Sequence, residues 1–214
     1  MRPQTPLPID AVIGDLARRL QQETRAVLVA PPGAGKTTRV PLALLDEPWA
    51  LGKRLILLEP RRLAARAAAQ RMADTLEDAL GGVVGLRVRM QSRVSGRTRI
   101  EVVTEGVFAR MILDDPGLEG VGAVLFDEFH ERSLDADMGL ALALDAQAGL
   151  REDLRILVMS ATLDGARVSR LMGDCPVIES QGRAFPVETR HAPRDPRARL
   201  EEEVARLTAR ALAE

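Results

Sequence analysis

The stretch Ala26-Val27-Leu28-Val29-Ala30-Pro31-Pro32-Gly33-Ala34-Gly35-Lys36-Thr37-Thr38 decides how this chain is read. Five apolar residues in a row, 26–30, suit a strand buried on both faces better than one that alternates toward water. Two prolines close it, and the residues from Lys36 onward are compatible with a helix. A glycine-bearing loop between a buried strand and a helix is a place to bind phosphate. Gly33 and Gly35 permit backbone conformations that aim successive N–H groups at anionic oxygens, and the helix adds the positive end of its dipole. Lys36 can reach the outer phosphates and Thr37 can ligate Mg²⁺. The strict pattern has glycine where Ala30 stands. A plain glycine turn ahead of a core helix is the competing reading, but lysine is scarce here: of 30 basic residues only Lys36 and Lys53 are lysine. Pro32, Gly33, Ala34, Gly35, Lys36, Thr37 and Thr38 are therefore the candidate cradle.

Three more continuous apolar runs follow, at 55–58, 123–126 and 156–159. Between the runs, Ile9, Val12, Ile13, Leu16 and Leu20 fall at helical spacing, and 63–80 and 134–148 are rich in alanine and leucine with few breakers. Buried strands alternating with helices predict an α/β fold with a mostly parallel sheet covered by helices on both faces. Residues 84–90 and 99–103 read as two strands joined by a polar turn at 91–98, an inserted or edge hairpin. Beyond Thr162 the character changes, through Cys175-Pro176 and Phe185-Pro186 to a proline-bearing loop at 191–196, which reads as linker. The last segment places Leu200, Val204, Leu207 and Ala211 on one helical stripe, with Glu201 to Glu203 early and Arg206 and Arg210 late, as the helix dipole prefers. Its apolar stripe lacks an evident partner. The boundaries expected are a domain at 1–180 and a linker with a C-terminal helix at 181–214.

Composition narrows the function classes. The 30 basic and 31 acidic residues give a net charge of −1, so any anionic partner must be met by a local basic surface. One cysteine, Cys175, allows neither an internal disulfide nor a cysteine-based zinc cluster. No apolar stretch approaches the roughly 20 residues that span a bilayer, and the first ten residues lack an apolar signal core, so a cytoplasmic protein is expected. Four Phe, one Trp and no Tyr make aromatic base stacking a poor expectation and phosphate-backbone contact the better one.

A second acidic signal, Phe126-Asp127-Glu128-Phe129-His130, ends the third run. Adjacent carboxylates can divide metal-assisted hydrolysis: Asp127 holds Mg²⁺ through its water shell while Glu128 orients and deprotonates the attacking water. Lys36 and this pair are expected to converge from adjacent strand ends on one magnesium triphosphate. Ser160-Ala161-Thr162 closes the fourth run, where the hydroxyls of Ser160 and Thr162 could bond a neighbouring loop and relay nucleotide state.

Taken in order, these motifs resemble the DEAH-box branch of superfamily 2 helicases, bacterial HrpB-type members most, with Asp-Glu-Phe-His in place of the usual Asp-Glu-Ala-His. The resemblance runs from about Leu16 to Pro186. It implies a RecA-like P-loop NTPase fold and an ATP-dependent RNA helicase that moves on single-stranded RNA, with DNA left open. ATP and Mg²⁺ are the implied ligands, other nucleoside triphosphates remaining open. Glu59-Pro60-Arg61-Arg62 resembles motif Ia and Thr104-Glu105-Gly106 motif Ib, both of which touch the nucleic-acid backbone. Arg71, in Ala69-Gln70-Arg71, matches the arginine that stacks on adenine, which implies loose base selectivity. Arg89 aligns with a hairpin arginine that contacts RNA, and His130 with a coupler between nucleotide and the second domain. For Arg61, Arg71 and Arg89 a solvated helix or strand face competes with these roles.

The same resemblance implies that a second RecA-like domain supplies arginine fingers, for which the stretch beyond Thr162 is too short, since such a domain needs about 100 to 150 residues. The chain is expected to bind nucleotide weakly, hydrolyse it slowly and not unwind. Two readings of other classes remain: a P-loop enzyme such as a small-molecule kinase, and a non-catalytic interaction module.

Overall fold

The computed structural model describes residues 6–162, 165–181, 188–192 and 197–213. The chain divides into two compact units, Met1–Arg183 and Ala184–Glu214. In the first, helix α1 (Asp10–Glu23) leads into strand β1 (Arg25–Val29). Then follow α2 (Lys36–Leu44), β2 (Arg54–Glu59), α3 (Arg62–Thr75), β3 (Val84–Val88), β4 (Gln91–Arg93), β5 (Ile100–Thr104), α4 (Glu105–Asp114), β6 (Val121–Phe126), α5 (Leu134–Gly149), β7 (Arg155–Ser160), α6 (Gly165–Leu171) and β8 (Val177–Glu179). No helix among the described residues is long and apolar enough to cross a membrane.

The strands form one sheet in the order β4-β3-β5-β2-β6-β7-β1-β8. All pairings are parallel except β3 with β4. The continuous apolar runs are explained by a core on each face. Leu28, Leu57, Leu125 and Met159 pack with α1, α2 and α3 through Leu16, Val40 and Met72. Their neighbours Val29, Ile56, Phe126 and Val158 turn the other way, toward Phe108 and Ile112 of α4, Leu140 of α5 and Val168 of α6. A strand with helices on both sides has no solvent face, so its sequence shows no alternation.

Three expectations are corrected. Residues 99–103 are not one arm of a hairpin: β5 lies inside the sheet, parallel to both β2 and β3. The hairpin is β3 with β4, formed within what reads as a polar turn, with β4 the sheet's edge. Second, the helix expected over 63–80 stops at Thr75. Glu77 takes a left-handed φ of 57°, and Asp78 accepts the amides of Ala79 and Val83, which turns the chain toward β3. Third, the stretch after Thr162 is not all linker, because α6 packs on β1 and the three-residue β8 adds a parallel strand beside β1. Phe185-Pro186 and most of the loop at 191–196 lie outside the described residues.

In the second unit, helix α7 (Leu200–Ala213) carries Glu201, Glu202 and Glu203 in its first turn and Arg210 in its last. Leu200 and Val204 of its apolar stripe are exposed.

Aromatic packing ties α4 to the sheet. The Phe108 ring is fully buried, meets Phe126 edge-on at 5.8 Å, and lies where a Cβ on Gly139 of α5 would come within 3.1 Å of it. Phe108→Ala should leave a cavity the backbone cannot fill and cost about 3–5 kcal/mol, read as a lower urea midpoint with unchanged slope.

Candidate functional site

In a parallel sheet all carboxyl ends face one edge, and ligands bind there. Here that edge brings together Ala30 after β1, Glu59 ending β2, Asp127 after β6 and Ser160 ending β7. The loop after β1 is shaped by its glycines. Gly33 and Gly35 have φ of 78° and 97°, and a Cβ on Gly35 would lie 2.6 Å from Leu7 Cδ1. The segment before α1 backs this loop, the Ile9 amide donating to the Ala34 carbonyl at 3.2 Å. Helix α2 begins at Lys36 without a side-chain N-cap, its Thr38 and Arg39 amides turning back on the Gly35 carbonyl.

The Lys36 side chain is buried, and its Nζ lies 2.8 Å from Glu128 Oε1. Thr37 donates its hydroxyl to Asp127 Oδ2, while Asp127 Oδ1 takes the Glu128 amide at 2.8 Å. The basic loop and the acidic pair thus meet. They do not come from adjacent strands as expected, since β7 lies between β1 and β6; the lysine stem bridges the gap. Glu128 sits in the left-handed region, φ 50° and ψ 33°, a conformation uncommon outside glycine and concentrated at functional sites.

His130 Nδ1 accepts the Ala161 amide at 3.2 Å and lies 3.4 Å from Glu128 Oε2. Ser160 Oγ and Thr162 Oγ1 are 3.4 Å apart. A path of contacts therefore runs from Lys36 through Glu128 and His130 to the segment 160–162. Arg71 and Thr38 face a cleft of about 400 Å³ that Thr37 and Glu128 also line.

Glu59 opens the segment that resembles motif Ia, and the sequence gives its carboxyl no role of its own. It is 2% exposed and leaves Oε1 without a partner. Burial, the Asp127 charge and hydrogen bond, and Glu128 push its carboxyl up to about 9, against the opposing pull of Lys36. Burial also raises Asp127, with the Lys36 charge and the Thr37 hydrogen bond pulling it back. Among the described residues no group of three or more His, Cys, Asp or Glu is arranged to hold a metal. The Thr37 hydroxyl and Asp127 carboxylate form the sort of sparse oxygen set that shares a small divalent cation with a substrate's phosphates.

A second depression of about 590 Å³ collects Arg62, Arg89, Thr104 and Gly106, whose sequence motifs suggest nucleic-acid contacts, together with Arg87 and Arg110, which no motif singles out. Arg87 lies on β3 and pairs with Glu101 at 2.6 Å, while Arg89 follows the end of the strand; the signal for Arg87 is its place two residues before Arg89 in a run that reads as strand. Arg61 and Glu105 stand apart from this groove. Arg61 pairs with Glu131 and lines the nucleotide cleft, and Glu105 accepts the Ser133 hydroxyl at 2.5 Å. Pro60 borders both depressions, so motif Ia straddles them.

Known proteins share this sequence and fold. The DEAD/DEAH box helicase family model matches residues 13–171. The ATP-dependent RNA helicase HrpB of Escherichia coli is 53% identical over 206 residues, 96% of this chain but 25% of HrpB. The HrpA homolog of Haemophilus influenzae is 34% identical over 87% of the chain and 14% of its own length. The chain thus spans a quarter or less of these relatives. A crystal structure of the E. coli DEAH/RHA helicase HrpB superposes with a TM-score of 0.90 at 52% identity, covering 97% of this chain and 26% of that one. With the family model spanning the phosphate loop and the acidic pair alike, the chain belongs to the DEAD/DEAH box helicase family and folds as its RecA-like domain.

Proposed function

We propose that this chain is the nucleotide- and RNA-binding domain of an ATP-dependent RNA helicase that couples ATP hydrolysis to movement on single-stranded RNA. The observation that carries the reading is the meeting of Lys36, Thr37, Asp127 and Glu128 in one cluster whose cleft adjoins an arginine-lined groove.

The Lys36–Glu128 pair is the resting contact. A triphosphate seated on the loop offers Lys36 a more highly charged partner, and the exchange releases Glu128 to hold the attacking water and take its proton. Bound Mg²⁺ supplies charge neutralisation on the phosphates, with Thr37 and Asp127 the residues to hold it. Arg71 covers the base. The released Glu128 no longer needs the same position against His130, so the change is passed to Ala161 and, through that segment, to the second RecA-like domain of the parent protein. That domain supplies the remaining charge stabilisation, so turnover by this chain alone is slow and strand separation does not occur.

A kinase for a small acceptor would need a compact second pocket beside the phosphates. The adjoining depression is instead a groove bearing four arginines, suited to a phosphate backbone. A purely non-catalytic module would not need the Glu128 carboxylate at the end of the lysine.

Substitutions on both clefts test this reading. Lys36→Ala should weaken binding of a fluorescent ATP analogue by about 10- to 100-fold, the worth of a charge-assisted contact. Glu128→Gln should keep binding while slowing hydrolysis by about 10²- to 10⁴-fold; turnover at the wild-type rate would place the base elsewhere. For RNA, Arg62→Ala and Arg89→Ala each remove one cation from the phosphate track, and each should flatten the slope of log affinity against log salt by about 0.7.

The site also predicts a pH dependence. Without metal or nucleotide, Glu59 holds its proton up to about 9 in the folded protein, against an ordinary value of 4.5. The unfolded chain releases that proton first, so stability from this group is full below the ordinary value and is lost as pH rises toward 9. The melting temperature of the metal-free protein should therefore fall more steeply between pH 6 and 9 than that of Glu59→Gln. Parallel slopes would mean that Glu59 is ionised throughout.

A further inference from the structure

Strand β2 ends on an acid where its neighbours' needs differ. β2 is hydrogen-bonded along its length to β6, and the Asp127 amide donates to the Leu58 carbonyl at 3.0 Å, so Glu59 and Asp127 leave adjacent strands side by side. Both residues are 2% exposed, so the two carboxyls are buried at neighbouring strand ends. The one ammonium in the cluster, on Lys36, is bonded to Glu128. Glu59 Oε1 is therefore buried with nothing to bond, on a residue that lines the cleft also bordered by Thr37 and Glu128.

A buried polar atom left unpaired is uncommon in a folded protein and points to a partner that arrives later. The lining of the cleft narrows what that partner is. Thr37, Thr38, Arg61 and Arg71 line it as donors and suit phosphate and base, with Lys36 behind them on Glu128, whereas Glu59, Glu128 and Glu131, with Asp127 bonded to Thr37, form an acidic side that suits a hydrated cation. Lys36 cannot serve both sides, because a triphosphate draws it away.

Resting on the nucleotide-binding reading, we propose that Glu59 is a positioning residue of the metal–nucleotide site. Its carboxyl braces Asp127 from the next strand, and its free Oε1 accepts a hydrogen bond from a water in the shell of the divalent cation that accompanies the triphosphate. Its role is distinct from that of Glu128: it touches neither the phosphates nor the attacking water, and acts through Asp127 and the shell. Outer-shell partners of this kind are worth about 10- to 100-fold in metal affinity.

The test uses this chain, a fluorescent ATP analogue, and Mg²⁺ as the titrant, with a parallel binding curve in EDTA and thermal melting of every variant. Glu59→Gln keeps reach and hydrogen bonding without charge, Glu59→Asp keeps charge without reach, and Glu59→Leu fills the space with neither. The half-saturating Mg²⁺ concentration should stay within about twofold of wild type for Glu59→Gln and rise about 10-fold or more for Glu59→Asp and Glu59→Leu, with binding in EDTA unchanged. If Glu59→Leu fails to fold, the contrast between Asp and Gln decides alone. A wild-type Mg²⁺ requirement in the Asp variant overturns the proposal, as does an equal loss of binding with and without Mg²⁺, which would make Glu59 a structural acid only. If wild type shows no Mg²⁺-dependent binding, or Lys36→Ala binds as wild type does, the nucleotide reading itself fails and takes the inference with it.

Discussion

The ion pair between Lys36 and Glu128 holds the site in its resting form, and the rest of the edge is organised around it. A nearly buried ammonium is tolerable only beside a carboxylate, and a carboxylate in the left-handed backbone region needs a reason to stay there. Each supplies the other's requirement. The cluster sets three carboxyls around one ammonium, and burial first, with the neighbouring carboxyl charges second, raises Glu59 and Asp127.

What holds the acidic segment still is apolar. The residue after Glu128 is Phe129, where the family pattern usually has alanine. Its ring is buried, meets Phe126 edge-on at 6.1 Å, and carries the Arg132 guanidinium 5.4 Å above it. The core of the α4 and α5 face thus extends through Phe108, Phe126 and Phe129 to the edge of the site. The larger side chain at this position anchors the turn that carries Glu128 and His130, so the departure from the pattern adds packing beside the site.

Much of this was legible in the residues themselves. Lys36 stood out because lysine is rare in this chain and lay between glycine and a helix, and the four apolar runs announced strands buried on two faces. Direction and adjacency were not legible. An apolar run has no arrow, so 99–103 reads equally well as a hairpin arm, although β5 runs parallel in the sheet interior. Strand β8 is three residues long with only Ile178 buried, too short to show a period. Glu59 closes an apolar run as Asp127 does, but a single carboxyl becomes meaningful only when β2 is known to lie beside β6.

That adjacency also bears on how two ligands can sense each other. Residues 59–62 leave β2 with Glu59 against Asp127, Arg61 on Glu131 in the nucleotide cleft, and Arg62 in the arginine groove. Pro60 fixes its own φ and restricts the residue before it, so the backbone between the acid and the two arginines has little freedom to absorb a shift. A displacement of Glu59 or Arg61 would therefore be felt at Arg62 and in α3, which begins there. A coupling here would need no long path through the core, because Glu59, Pro60 and Arg61 line one cleft and Pro60 and Arg62 the other, and an anion bound at Arg62 would resist or favour the same displacement from the other side, as linkage requires.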